Sequence, residues 1–77
     1  LLEYTEISFN LPTDDKVNLE IRDMTGKIIF SQKYSFAEGL NTIQMGKKDL
    51  KSGSGVFLYD LITSKERVTK KMILLNH

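Results

Sequence analysis

Side chains able to do acid–base or nucleophilic chemistry are few and poorly placed in this 77-residue sequence. It contains no cysteine, which excludes a thiol nucleophile, a thiolate metal site and a disulfide. Its one histidine is the last residue, His77. A general base needs a fixed position within reach of its proton, and a chain end does not supply one. Serines are plentiful, but without cysteine or an internal histidine no familiar triad can assemble.

The carboxylates are the next place to look. Asp14, Asp15 and Asp23, or Asp49 with Asp60, could offer oxygen ligands to calcium. No stretch has the alternating acids and glycine of a calcium loop, so solvated turn acids are expected. Asp60 stands apart because it interrupts an apolar run. If Phe57, Tyr59 and Leu61 face a core, Asp60 shares the other face with Val56, Leu58 and Ile62. A cross-strand Lys or Arg on the last strand is its expected partner. Gly53-Ser54-Gly55 leads into a strand and not a helix, so no helix N-terminus presents amides to a phosphate.

The basic pairs are Lys47-Lys48 and Lys70-Lys71. Nucleic-acid binding would want them clustered with aromatics between them, whereas here acids nearly balance them to a net charge of +1. They are expected on solvated edges, where lysine also discourages pairing with another chain. In a strand, Lys70 and Lys71 must point to opposite faces. Neither nucleic acid, nor metal, nor any cofactor is implied.

These residues need elements to hold them, and the sequence predicts strands throughout. A hydrophobic fraction of 40% with 27% charged residues is that of a globular domain, and the length suits one domain. No apolar run approaches the roughly 20 residues of a spanning helix. Leu1-Leu2-Glu3-Tyr4 has neither initiator Met nor basic n-region, so the chain is expected to be a piece of something longer.

Thr5, Ile7, Phe9 and Leu11 alternate with polar residues up to Pro12, and Val17, Leu19 and Ile21 do the same after the turn Thr13-Asp14-Asp15. Asp23-Met24-Thr25-Gly26 predicts a bulged hairpin turn with positive φ at Gly26. That register pairs Asp23 with Lys27 and Ile21 with Ile29, leaving Ile28 and Phe30 on the opposite face. A two-residue turn at Thr25-Gly26 would instead bury Ile28 and Phe30, and the bulged register is preferred.

A third strand then runs from Lys27 to about Phe36, and a fourth from Leu40 to Met45 with Ile43 and Met45 inward. Leu50 is the expected anchor of the following loop. The fifth strand starts at Gly55, reads as a central strand buried on both faces, and ends near Thr63. Ser64-Lys65-Glu66 turns into a sixth from Arg67 to Leu75 that pairs back on the fifth. Turn signals recur at the short intervals of a sandwich or barrel, and few windows keep helical periodicity without a glycine or a β-branched run cutting in, so nothing reads as a helix. The fold expected is an all-β sandwich of antiparallel hairpins.

Four stretches, taken in order, resemble one family. They are Ile7-Ser8-Phe9-Asn10-Leu11-Pro12; Val17 to Lys27 with its Asp23-Met24-Thr25-Gly26 turn; Gly39-Leu40-Asn41 followed by Ser54-Gly55-Val56-Phe57-Leu58-Tyr59; and Thr69-Lys70-Lys71-Met72-Ile73-Leu74-Leu75. Together they resemble the C-terminal sorting domain of the type IX secretion system, the Por secretion tail family of Bacteroidetes. Arg22 and Phe57 each stand where that pattern has tyrosine, an extra Ser-Gly precedes Gly55, and the usual Pro-Asn-Pro ahead of the first strand is missing.

The resemblance implies an immunoglobulin-like antiparallel sandwich of six to seven strands spanning residues 1–77. It implies a non-catalytic address, attached to an N-terminal cargo and read by the outer-membrane secretion machinery, with the tail commonly removed by a sortase-like peptidase. Localisation would be secreted or cell-surface. The recognition residues carried over are Gly55, Val56, Phe57, Lys70, Lys71, Met72, Ile73, Leu74 and Leu75, with Asp23 and Gly26 as the structural turn. A terminal strand with a free edge can be read by strand addition. The alternative is a generic extracellular accessory module, a spacer or glycan binder, for which only Tyr4, Tyr34 and Phe36 could form a platform.

Overall fold

Alternation in the sequence decides which face of each strand is dry. The computed structural model describes residues 4–50 and 55–74. In β1 (Tyr4–Leu11), Ile7 and Leu11 are buried and Phe9 half-buried, while Glu6, Ser8 and Asn10 face water. In β2 (Asp15–Arg22), Val17, Leu19 and Ile21 are buried without remainder. The remaining strands are β3 (Ile28–Phe36), β4 (Gly39–Gly46), β5 (Gly55–Ile62) and β6 (Arg67–Leu74). The expected Leu75 at the end of the last strand lies outside the described residues.

The strands form two antiparallel sheets, β1-β4 and β3-β2-β5-β6, which face each other as an immunoglobulin-like sandwich. Ile7, Ile43 and Met45 of the small sheet meet Leu19, Ile21, Phe57, Tyr59 and Met72 of the large one. Each such side chain, fully buried, contributes about 1.5–3 kcal/mol. The chain reaches this arrangement with two hairpins, β2-β3 and β5-β6; β1 pairs with β4 inside the small sheet, Ile7 opposite Ile43, although β2 and β3 of the other sheet lie between them in sequence. The expectation of hairpins throughout is corrected there. Two short sheets can enclose one core only if some neighbours in space are distant in sequence. Among the described residues no helix is long and apolar enough to cross a membrane.

The turn at Asp23–Gly26 forms as expected. Gly26 has φ +93°, its N–H donates to the Asp23 carbonyl at 3.0 Å, and the Asp23 N–H donates to the Lys27 carbonyl at 2.9 Å. The Asp23 carboxylate also accepts the N–H groups of Thr25 and Lys27, which satisfies the inside of the turn. Beyond it the register differs from expectation. A bulge leaves Ile29 without a partner, so Ile21 faces Phe30 and not Ile29. The gain is physical: Ile29 and Phe30 both pack against the core, and only Ile28 is left in water, 53% exposed.

Leu50 anchors its loop as expected and is fully buried. The Gly46 carbonyl accepts the N–H groups of Asp49 and Leu50, and the Asp49 carboxylate accepts the Gly46 N–H at 2.8 Å. The backbone is thereby closed on itself, and the side chain points inward.

Candidate recognition surface

The β5-β6 hairpin collects most of the residues singled out from the sequence. β5 lies between β2 and β6, so it is central in its sheet, with Phe57, Tyr59 and Leu61 buried against the small sheet. It is not buried on both faces as expected. Among the described residues no layer covers the outer face, and Val56 is 39% exposed while Leu58 and Ile62 are half-buried. What shelters the middle of that face is a polar cluster.

Asp60 is the centre of the cluster. Its side chain is 3% exposed although it lies on the outer face, because side chains from both neighbouring strands fold over it. From β6, the Thr69 hydroxyl directly across donates to Oδ1 at 2.7 Å, and Arg67, one diagonal step away, donates to Oδ2. From β2, Arg22 donates to Oδ1 at 3.3 Å. The Thr69 hydrogen bond, with the two guanidinium charges, holds the Asp60 carboxyl below the usual carboxylate range against the opposing effect of burial. The expected arginine on the last strand is there. Arg22 could not have been assigned from sequence, since only the β2-β5 pairing brings it over. It also occupies the position where the family pattern has tyrosine, so this departure has a local cause: a buried carboxylate two strand positions away.

Asp15 ties the hairpin turn to the start of β2. Its carboxylate accepts the Ser64 N–H at 3.2 Å and the Ser64 hydroxyl at 2.8 Å, and the hydroxyl bond lowers its pKa. Asp23 is lowered likewise, chiefly by the Thr25 hydroxyl. All three carboxyls are thus more acidic folded than unfolded, where aspartate titrates near ~3.9. Their contributions are present above that value and are lost as pH falls through the lower folded values. Urea midpoints are expected to be level between about pH 7 and 5 and to fall below about pH 4. Asp60→Asn should make that acid limb shallower; an unchanged limb would mean Asp60 does not titrate differently in the two states.

The nine recognition residues carried over from the resemblance separate by burial. Phe57, Met72 and Leu74 belong to the core. Gly55, Val56, Lys70, Lys71 and Ile73 are exposed. Leu75 lies outside the described residues. The register places Val56 opposite Ile73 and Leu58 opposite Lys71, so the exposed members share one end of the hairpin. Lys70 shares the inner face with its partner Tyr59, and Lys71 shares the outer face with Leu58, both lysines reaching water at the sheet margin.

The aromatics considered for a glycan platform do not form one. Tyr34 stacks on Phe36 at 5.3 Å, Phe36 meets Phe9 edge-on at 5.4 Å, and all three pack against the core. Burial raises the Tyr34 pKa accordingly. Tyr4 stands away from them on the outer side of β1.

Comparison with known proteins gives a family and nothing narrower. A family model described as secretion system C-terminal sorting domain matches residues 3–75. No curated protein and no solved structure matches the chain. Since the matched stretch takes in both sheets and the whole β5-β6 hairpin, the chain belongs to the C-terminal sorting domains of the type IX secretion system, non-catalytic modules that direct export to the cell surface or beyond.

Proposed function

We propose that the β5-β6 hairpin is the part of this sorting domain that the outer-membrane secretion machinery reads, on behalf of a cargo joined to the N-terminal side. The observation that carries this reading is the clustering of Gly55, Val56, Lys70, Lys71 and Ile73 at the surface of one hairpin whose other side chains build the core. The core residues Phe57, Met72 and Leu74 then act by holding the hairpin in shape. A sortase-like peptidase that removes the domain after export is part of the same reading.

Deleting Lys70–Leu75 is a poor test, because it removes Met72 and Leu74 from the core and would unfold the sandwich. Surface changes are better. Residues 1–77 fused to an inert exported reporter in a type IX-competent bacterium should deliver it to the surface. Val56→Ser with Ile73→Ser, and separately Lys70→Ala with Lys71→Ala, should leave the fold intact and cut surface delivery several-fold. Delivery at the parent level by both folded double variants would refute the hairpin as the surface that is read.

A further inference from the structure

The last strand has one edge that no strand among the described residues pairs with. β6 pairs only with β5, and β1, which lies nearest on the other sheet, pairs only with β4. The turn fixes which backbone groups are free. The Thr63 N–H donates to the Glu66 carbonyl, so Thr63 and Glu66 are a hydrogen-bonded pair. Pairs alternate along an antiparallel ladder. Val68, Lys70, Met72 and Leu74 therefore bond to β5, and the N–H and C=O groups of Arg67, Thr69, Lys71 and Ile73 point to the open edge.

This edge has a chemical character. Lys65, Arg67, Lys70 and Lys71 line it against the acids Glu66 and Asp15, the charge of Lys65 acting on Asp15, and neither Lys70 nor Lys71 forms an ion pair among the described residues. Beside it, between the two sheets, opens a cleft of about 190 Å³ whose apolar lining includes Phe9, Leu61 and Val68. A strand added along β6 would turn its side chain opposite Val68 toward this cleft, since cross-strand neighbours share a face. Its residues beside Lys70 and Lys71 would meet positive charge.

The geometry points to strand addition: the open edge of β6 accepts an extended acidic segment of another protein, with one apolar side chain seated between Phe9, Leu61 and Val68. A second copy of this chain is disfavoured, because two β6 edges brought together antiparallel about their centres would oppose lysine to lysine. The same charges that exclude self-pairing select a partner of opposite sign. The inference rests on the hairpin being the surface that is read, and it specifies how.

The probes are two capped heptapeptides, one alternating glutamate with valine and one alternating lysine with valine, added to the 77-residue chain at low salt. The glutamate peptide should slow amide exchange at Arg67, Thr69, Lys71 and Ile73 and leave β3 and β4 unaffected. Lys70→Glu with Lys71→Glu should weaken it at least about tenfold and admit the lysine peptide instead. Ile73→Pro keeps both lysines and, because its N–H faces outward, costs no ladder bond to β5. It should nevertheless lose the protection. Equal binding of both peptides, protection on another edge, undiminished protection in Ile73→Pro, or no binding would overturn strand addition. If the peptides fail but the surface variants still block reporter delivery, only the mode is wrong. If the peptides bind but delivery is unaffected, the edge is real and the sorting role of the hairpin is wrong.

Discussion

Asp60→Ala is expected to destabilise the domain by about 2–3 kcal/mol, although it removes one small side chain from the outer face of a sheet. Three side chains donate hydrogen bonds to that carboxylate, and two of them are guanidinium groups. Hydrogen bonds to charged groups contribute a net of about 1.5–3 kcal/mol each where they are sheltered. Compensation is substantial here, because Arg67 is 57% exposed and regains water when its partner is lost. Arg22, whose side chain is 34% exposed, is more sheltered and recovers less. For a domain of this size the loss lowers Tm by roughly 10–20 °C. Asp60→Asn, which keeps the shape and one good acceptor, should cost about half as much. Urea denaturation with an unchanged m-value is the measurement. A value for Asp60→Ala within about 0.5 kcal/mol of the parent would show that water already serves the cluster.

Leu50→Ala should cost as much or more, about 2–4 kcal/mol. Leu50 is wholly buried yet belongs to no strand, and among the described residues the turn at Gly46–Asp49 holds it in the core. Truncation leaves a cavity next to residues the small sheet depends on, with transfer and cavity terms adding. Against a total stability of about 4–11 kcal/mol for a chain of this length, either substitution takes a large share. Leu50→Met, which conserves volume, should recover most of it. A Leu50→Ala domain as stable as the parent would mean that the loop, and not the side chain, closes the core. Because neither change replaces Lys70, Lys71 or Ile73, any export defect they cause should track unfolding and be relieved at lower temperature.

These two sites also mark how far the sequence could be read. Strand positions, the inward sets of β1, β2, β4 and β5, the Asp23–Gly26 turn and the anchoring of Leu50 follow from period-two alternation and from glycine where φ must be positive. Those are local preferences, fixed by sterics and by burying apolar area on one face, and they survive in any all-β arrangement. The family likewise is legible in four short stretches, because its hairpins carry recognisable turn residues.

What the sequence left open depends on pairing between segments far apart. Nothing in residues 4–11 alone says that β1 joins β4 and not β2. The bulge at Ile29 was hidden because strict alternation and one inserted residue give the same run of apolar side chains, and only the demand for core volume selects between them. The partners of Asp60 show the limit most plainly. Arg67 and Thr69 were within reach of a hairpin argument, but Arg22 is 38 residues away and arrives through the β2-β5 ladder. So the sequence by itself determined the strands, the turns, the chemistry that is missing and the family. Tertiary structure alone decided which edge of which strand stays open, which residues of the sorting signal are core and which are surface, and how a buried charge is balanced. The physical reason is that strand pairing joins residues through contacts no local preference encodes, with the whole core volume as arbiter.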